Sequence, residues 1–403
     1  MQANTVRRFA FTFACIVATI LPFQHALAQS KGKAKGPIKV FILSGQSNME
    51  GKASVTTLDA VIDDAKTHDE FKHLKTDGKW TVRDDVWVTF LDKSVRGSSP
   101  SPLHGPLTVG FGSDKNERDE NGKRITVAGI GPELGIGWVL GEHFDQQVLL
   151  IKAAWGGRAV KYSFRPPSAM PTDGEIKAQV AEIKQRKPDA EVTFESHKAG
   201  YGSDYRKVLS ETKRVLDDIR KYFPDYDESQ GYEIAGFIWF QGWNDGVGSG
   251  NPQYTEQMAA FIRDMRKDLK TPNLPFVIGE LGTDGPEAEG WIETFRKQQA
   301  AVAAMPEFKG NVAFAKTSLY WPTPPDLSKE WTAFRAAAQA NEKKAQDDPT
   351  RVDPGQFFQV NWQQKYHKEL AFTSDKRYHY LGSGACYYRM GQAMGKAMID
   401  LMK

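Results

Sequence analysis

Val40-Phe41-Ile42-Leu43-Ser44-Gly45-Gln46-Ser47-Asn48-Met49-Glu50-Gly51 decides how the rest of the chain is read. The apolar run Ile38 to Leu43 is short and bounded by turn residues, the pattern of a buried β-strand. It stops abruptly in Ser-Gly-Gln-Ser-Asn. In open α/β sheets ligands sit just beyond the carboxyl ends of the strands, so Ser47 stands where a nucleophile would. The Gly-x-Ser-x-Gly elbow of the α/β-hydrolases is missing, which argues against that fold. The same residues also fit an S-x-x-E capping box, Ser47 with Glu50, in which Ser47 would only cap a helix.

Working outward, strands and helices alternate. Val86 to Phe90, Val148 to Lys152, Ile234 to Phe240, Phe276 to Glu280 and Val312 to Ala315 read as strands. Amphipathic helices are expected over Tyr205 to Phe223, with Val208, Thr212, Val215, Ile219 and Tyr222 on one face, and over Tyr254 to Leu269. Further helices are expected from Gly131-Pro132-Glu133 onward, over Trp291 to Met305, Trp331 to Gln346 and Ser383 to Met402. Alternation of this kind predicts an α/β fold: a mostly parallel sheet with helices on both faces. Residues 52 to 84, the Gly/Pro/Ser-rich Ser98 to Gly112 and the charged Ser113 to Arg124 read as surface excursion, loop and exposed segment. Residues 165 to 204 and 320 to 370 read as irregular insertions. The expected organisation is one domain over 38–403, with insertions near 52–125, 165–204 and 320–370.

The 403 residues carry a formal charge of +3. Arg7 and Arg8 lie in residues 1–28, so the remainder is close to neutral, and nothing points to nucleic acid or an acidic membrane surface. Residues 1–28 have the layout of a secretory signal: Arg7-Arg8, the apolar Phe9 to Leu21, then Ala26-Leu27-Ala28 as a small-x-small cleavage site. A polar, lysine-rich lead-in follows over 29–37. The mature protein would then be secreted or periplasmic, with no membrane attachment once the signal is cleaved. Cleavage removes Cys15 and leaves Cys386 alone, so no intrachain disulfide is expected. The histidines show no metal-ligand spacing and no phosphate-cradling glycine loop is present, so neither metal nor cofactor is expected.

Serine chemistry needs a nucleophile, a base, an acid that orients the base, and donors for the oxyanion. Ser47 is the candidate nucleophile and His379 the candidate base, with Asp375 four residues before it. Gly156 and Gly157 follow a strand and offer backbone N–H groups. Asn244 follows another strand and offers a side-chain amide. Gln241 and Glu280 also stand at strand ends.

Gly-Gln-Ser-Asn-Met at 45–49, Trp-Gly-Gly at 155–157, Gly-x-Asn-Asp at 242–245 and the late Asp/His pair, in that order, resemble the SGNH hydrolase superfamily. Within it they are most similar to the sialate O-acetylesterase-like carbohydrate esterases, which include acetyl xylan esterases. The resemblance implies a flavodoxin-like three-layer α/β/α sandwich and metal-free hydrolysis of an acetylated carbohydrate. Ser47 would be the nucleophile and His379 the base, with the Ser47 N–H, Gly156 or Gly157, and Asn244 forming the oxyanion hole. Gln46 and Gln241 would lie in the substrate pocket. One departure stands out: the superfamily's acid lies three residues before the histidine, where this chain has Lys376. Asp375, Glu280 or a backbone carbonyl are the alternatives for orienting His379. Two other functions remain open on the same residues, a carbohydrate-binding protein without catalysis and a lipase or thioesterase.

Overall fold

Ile38–Gly45 (β1) is the spine of the molecule. The computed structural model describes residues 26–27, 36–93, 101–118, 123–322 and 327–403. The expected leader and lead-in lie almost wholly outside the described residues. β1 is flanked on both sides by parallel strands, Val148–Ala154 (β3) and Tyr232–Phe240 (β4). Lys79–Thr89 (β2) pairs with β3, and Phe276–Gly279 (β5) and Val312–Ala315 (β6) extend the other side, all parallel. The order β2-β3-β1-β4-β5-β6 reverses at β1. After β1 the chain moves to one side of the sheet, and after β4 it moves to the other. The diverging connections open a crevice at the carboxyl ends of these two neighbours.

Both faces of the sheet are covered, so the strands are apolar nearly throughout. Side chains alternate between two cores, as the two-residue period requires. Phe41, Leu43, Ile238, Phe240 and Val277 face one core with helices Glu133–His143 (α1) and Gly384–Leu401 (α5). Ile42, Phe237, Trp239 and Ile278 face the other. There they meet Ser203–Leu216 (α2), Tyr254–Asp268 (α3) and Trp291–Ala303 (α4). The fold is the expected three-layer α/β/α arrangement. Among the described residues no helix is long and apolar enough to cross a membrane.

The expectations that fail lie between the strands. Residues 52–84 are not a surface excursion: Leu58, Val61 and Phe71 are buried in the core, and β2 begins at Lys79. The expected loop at 98–112 contains a strand, His104–Leu107, antiparallel to β2. The charged 113–124 stretch is half of an antiparallel ribbon, Gly112–Arg118 with Arg124–Ile130. In 165–204, Asp173–Arg186 is a helix with a full capping box from Thr172 and Glu175, and Phe194–Gly200 is another. The helix expected through Phe223 breaks after Leu216, where Asp217 and Asp218 intervene. In 320–370 the helix expected over Trp331 to Gln346 is present as Ser328–Glu342, and the rest of that stretch is less irregular than expected, since Pro354–Phe358 and His367–Phe372 are also helical.

Glu133 is more than a favourable acid at a helix start. Its carboxylate meets the Lys152 ammonium at 2.6 Å, and both side chains are sealed from solvent (1% and 0% exposed). Burial pulls the lysine below its ordinary range, opposed chiefly by Glu133. The ammonium also donates to the carbonyls of Glu50 and Phe111, each at 2.8 Å. One of its three donors is thus used on the turn that begins at Ser47. Removing one partner leaves a buried charge uncompensated, so Lys152→Met should destabilise the fold by about 3–5 kcal/mol in urea unfolding. Adding Glu133→Gln to that variant should recover part of the loss. Equal stability of Lys152→Met and wild type would mean the pair carries no structural weight.

Candidate active site

At the end of β1 the chain runs against the end of β4. A Cβ at Gly45 would lie 2.1 Å from the Phe240 carbonyl oxygen, and its φ is +148°, so only glycine fits. Gln46 then donates its N–H to that same carbonyl at 3.1 Å. Ser47–Glu50 form one helical turn whose N-cap is Gln46, with no side-chain cap bond. The capping reading of Ser47 therefore does not hold. Glu50 turns to the Lys52 ammonium at 2.6 Å instead of reaching back to the turn's start. Ser47 opens onto a cavity of about 360 Å³.

The cavity lies over the crevice between β1 and β4. The sequence candidates Gln46, Ser47, Gly156, Gly157, Asn244 and His379 all line it. Lys52, Trp243 and Tyr378 line it as well and were missed, although Trp243 stands inside the Gly-x-Asn-Asp block and Tyr378 beside His379. Gly156 comes close enough that a Cβ there would sit 3.6 Å from Ser47 Cβ and 3.1 Å from the Glu50 carboxylate. The Trp155 N–H to Gly45 carbonyl bond, 3.1 Å, fixes this approach. Among the described residues neither the Ser47 nor the Gly156 N–H has a backbone acceptor.

Gln46 sets the orientation of Asn244. Its Oε1 accepts the N–H groups of Gly242 and Asn244 at 3.3 and 3.4 Å. Backbone N–H groups only donate, so the atom facing them must be oxygen. Its Nε2 then donates to Asn244 Oδ1 at 3.1 Å, which leaves Asn244 Nδ2 as a donor. Asp245 anchors the same turn. Burial raises its pKa, opposed by four donors: the N–H groups of Val160 and Lys161 at 2.6 and 3.0 Å, and the amides of Asn251 and Gln241, both at 2.7 Å. Gln241 is one of those ties and also holds the Arg158 carbonyl at 3.0 Å. It does not line the cavity; its amide NH₂ is spent inside the loop.

His379 Nδ1 lies 3.0 Å from Asp375 Oδ1. That geometry puts the Nδ1 proton toward the carboxylate and leaves Nε2 as the basic nitrogen. Asp375 is further held by the Lys376 N–H at 2.7 Å and by the Lys115 ammonium. Burial pushes this carboxyl up, but His379 and Lys115 outweigh it and hold it well below the usual carboxylate range. Tyr380, Leu381 and Gly382 follow with φ of 50°, 53° and 64°. This left-handed run folds the chain back, so that Ser374 and Asp375 both donate to the Leu381 carbonyl, at 2.8 and 3.0 Å. The reversal is what lets an acid four positions before the histidine reach Nδ1. Glu280 goes elsewhere: it accepts the Ser318 N–H at 2.9 Å, 3.8 Å from Arg296, and does not line the cavity. Asn48 joins the two loops, donating to the Tyr378 carbonyl at 3.1 Å while accepting from the Tyr387 hydroxyl at 2.7 Å.

Lys115 comes from the charged ribbon, and nothing in the sequence pointed to it. Its cation is one of the two partners that hold the Asp375 carboxyl low. In Lys115→Met that carboxyl should titrate higher, nearer the usual carboxylate range, as read by NMR of its side chain. An unmoved carboxyl would mean the ammonium is only a surface tie.

A hydroxyl, an imidazole backed by a carboxylate, and three converging N–H donors can together carry out acyl transfer. The family model for carbohydrate esterases described as sialic acid-specific acetylesterase matches residues 37–317, which leaves Asp375 and His379 beyond the match. No curated protein sequence matches the chain. A solved protein from Arabidopsis thaliana aligns at 18% identity over 70% of this chain and 86% of its own, with a TM-score of 0.38. A carbohydrate acetylesterase from Xanthomonas citri aligns at 16% identity over 75% of this chain and 56% of its own, TM-score 0.36. NanS aligns at 14% identity over 70% and 78%, TM-score 0.36.

Proposed function

The chain belongs to the sialic acid-specific acetylesterase family of carbohydrate esterases, and from that premise we propose that it is a serine esterase removing O-acetyl groups from carbohydrate through Ser47, His379 and Asp375. Residues 38–403 act as one esterase domain in this reading, and the leader over 1–28 takes the protein out of the cytoplasm. The observation that carries the proposal is one cavity in which Ser47, Asn244 and an Asp375-backed His379 meet.

His379 Nε2 takes the Ser47 proton as Oγ attacks the acetyl carbonyl carbon. The carbonyl oxygen becomes an oxyanion facing the N–H groups of Ser47 and Gly156 and the Asn244 amide. Each such donor is worth on the order of 3 kcal/mol in the transition state. Collapse breaks the carbon–oxygen bond to the sugar, whose alkoxide takes the proton from His379. Water, deprotonated by the same Nε2, then attacks acetyl-Ser47; collapse breaks the bond to Oγ, which takes the proton back from His379, and acetate leaves. Asp375 keeps the Nδ1 proton in place throughout.

The test is acetate release from p-nitrophenyl acetate, acetylated xylan and O-acetylated sialic acid. Release from the small ester and from at least one carbohydrate is expected. No turnover of any of them would favour a carbohydrate-binding protein. A preference for p-nitrophenyl esters of long acyl chains would favour a lipase.

A further inference from the structure

We infer that Tyr378, Trp243 and Trp291 form a stacking row that leads out of the acetyl site and binds the neighbouring rings of a neutral oligosaccharide chain. This rests on the esterase reading above and names the kind of carbohydrate it acts on. Trp243 and Tyr378 line the cavity beside Ser47. Their ring centres are 5.2 Å apart and tilted by 39°. On its other side Trp243 meets Trp291 edge to face, again at 5.2 Å, with 78° between the planes. The three rings thus run in sequence from the cavity outward.

Exposure distinguishes this row from a core cluster. Trp243 and Tyr378 are half-buried and Trp291 is 37% exposed, and Val247, which follows the Gly246 that Trp291 covers, is exposed as well. Large aromatic rings usually bury most of their surface, and an exposed one continuous with a cavity marks a binding surface. Trp291 is also firmly seated. It opens α4, and its indole lies so close over Gly246 that a Cβ there would come within 2.5 Å of the ring. Gly246 belongs to the turn anchored by Asp245, so the platform is preorganised and loses little freedom on binding. The C–H face of a pyranose is apolar and faintly positive, and it complements the negative face of an aromatic ring.

Charge decides between neutral and acidic sugars. Beside the cavity Lys52 is already neutralised by Glu50 at 2.6 Å. Arg377, which precedes Tyr378 in the chain, forms a two-pronged pair with Asp284. Lys52 is the Lys or Arg among the residues that line the cavity, so a sugar carboxylate seeking a cation there would have to displace Glu50, whereas a neutral ring displaces nothing.

The experiment compares Trp291→Ala and Trp291→Phe with wild type on acetylated xylose, xylobiose and xylotetraose. Each kcat/KM is divided by that for p-nitrophenyl acetate. In wild type the ratio should rise with chain length, through KM. In Trp291→Ala the rise should flatten by roughly tenfold, the size of one lost aromatic contact, and Trp291→Phe should keep most of it. A flat wild-type profile, an unchanged profile in Trp291→Ala, or a preference for O-acetylated sialic acid over xylotetraose would overturn the inference. Calorimetric binding of unacetylated xylotetraose gives a second reading that needs no turnover. Weaker binding by Trp291→Ala supports the row, and equal binding overturns it. If wild type fails on p-nitrophenyl acetate, the esterase reading falls separately.

Discussion

Ser47→Ala should lose esterase activity by about five to six orders of magnitude in kcat, the scale set by deleting a nucleophile from a serine triad. KM for the acetyl ester should change little, because Gly156, Asn244 and the aromatic rings remain. Stability should also change little. Ser47 accepts no cap bond from its own turn, so removing its hydroxyl costs the fold no hydrogen bond there. That combination separates the two readings of this serine: a helix cap would lose stability and keep activity. Loss of turnover with unchanged urea unfolding is the expected result. A variant retaining a few per cent of wild-type kcat would exclude Ser47 as the attacking group.

Asp375→Asn should lower kcat by about 10⁴-fold. An amide in this place can turn its NH₂ toward Nδ1. The imidazole would then carry its proton on Nε2 and could not accept one from Ser47. The substitution is awkward in every orientation, since Lys376 N–H and Lys115 both donate to the native carboxylate. Glu280→Gln is the matched control. Its carboxylate caps Ser318 N–H rather than facing the histidine, so kcat should stay near wild type. A larger loss in Glu280→Gln than in Asp375→Asn would transfer the orienting role to Glu280.

The sheet was legible because of how it is buried. Val148–Ala154 and Val312–Ala315 are covered on both faces, so their sequences are apolar runs that turn residues delimit. The Gly112–Arg118 strand of the ribbon was not legible, because its residues are polar and mostly half-buried. Lys115 in that ribbon meets Asp375 from 260 residues away, and no local pattern encodes such a meeting. Strand ends were read correctly as places for polar residues, but not their direction. Asn244 points into the cavity, whereas Gln241 and Glu280 carry the same mark and turn into the loops beneath. The place of Asp375, four residues before His379 rather than three, was visible. Its cause was not, since a left-handed run at Tyr380 and Leu381 is nothing those residue types advertise.

The placing of β1 has a consequence for how the protein comes to life. It precedes β2 to β6 in the chain, yet its partners β3 and β4 follow only after long intervening segments, and the histidine loop arrives later still. During synthesis Ser47 emerges early, without an imidazole to activate it or an amide to receive the oxyanion. Pairings so distant close slowly, because loop entropy is lost before contacts return it. Ester cleavage therefore cannot grow by degrees with the nascent chain. On the Ser47–His379 reading proposed above it waits until the histidine loop reaches Asn48, which makes acetate release a reporter of completed folding and leaves unfinished chains chemically silent.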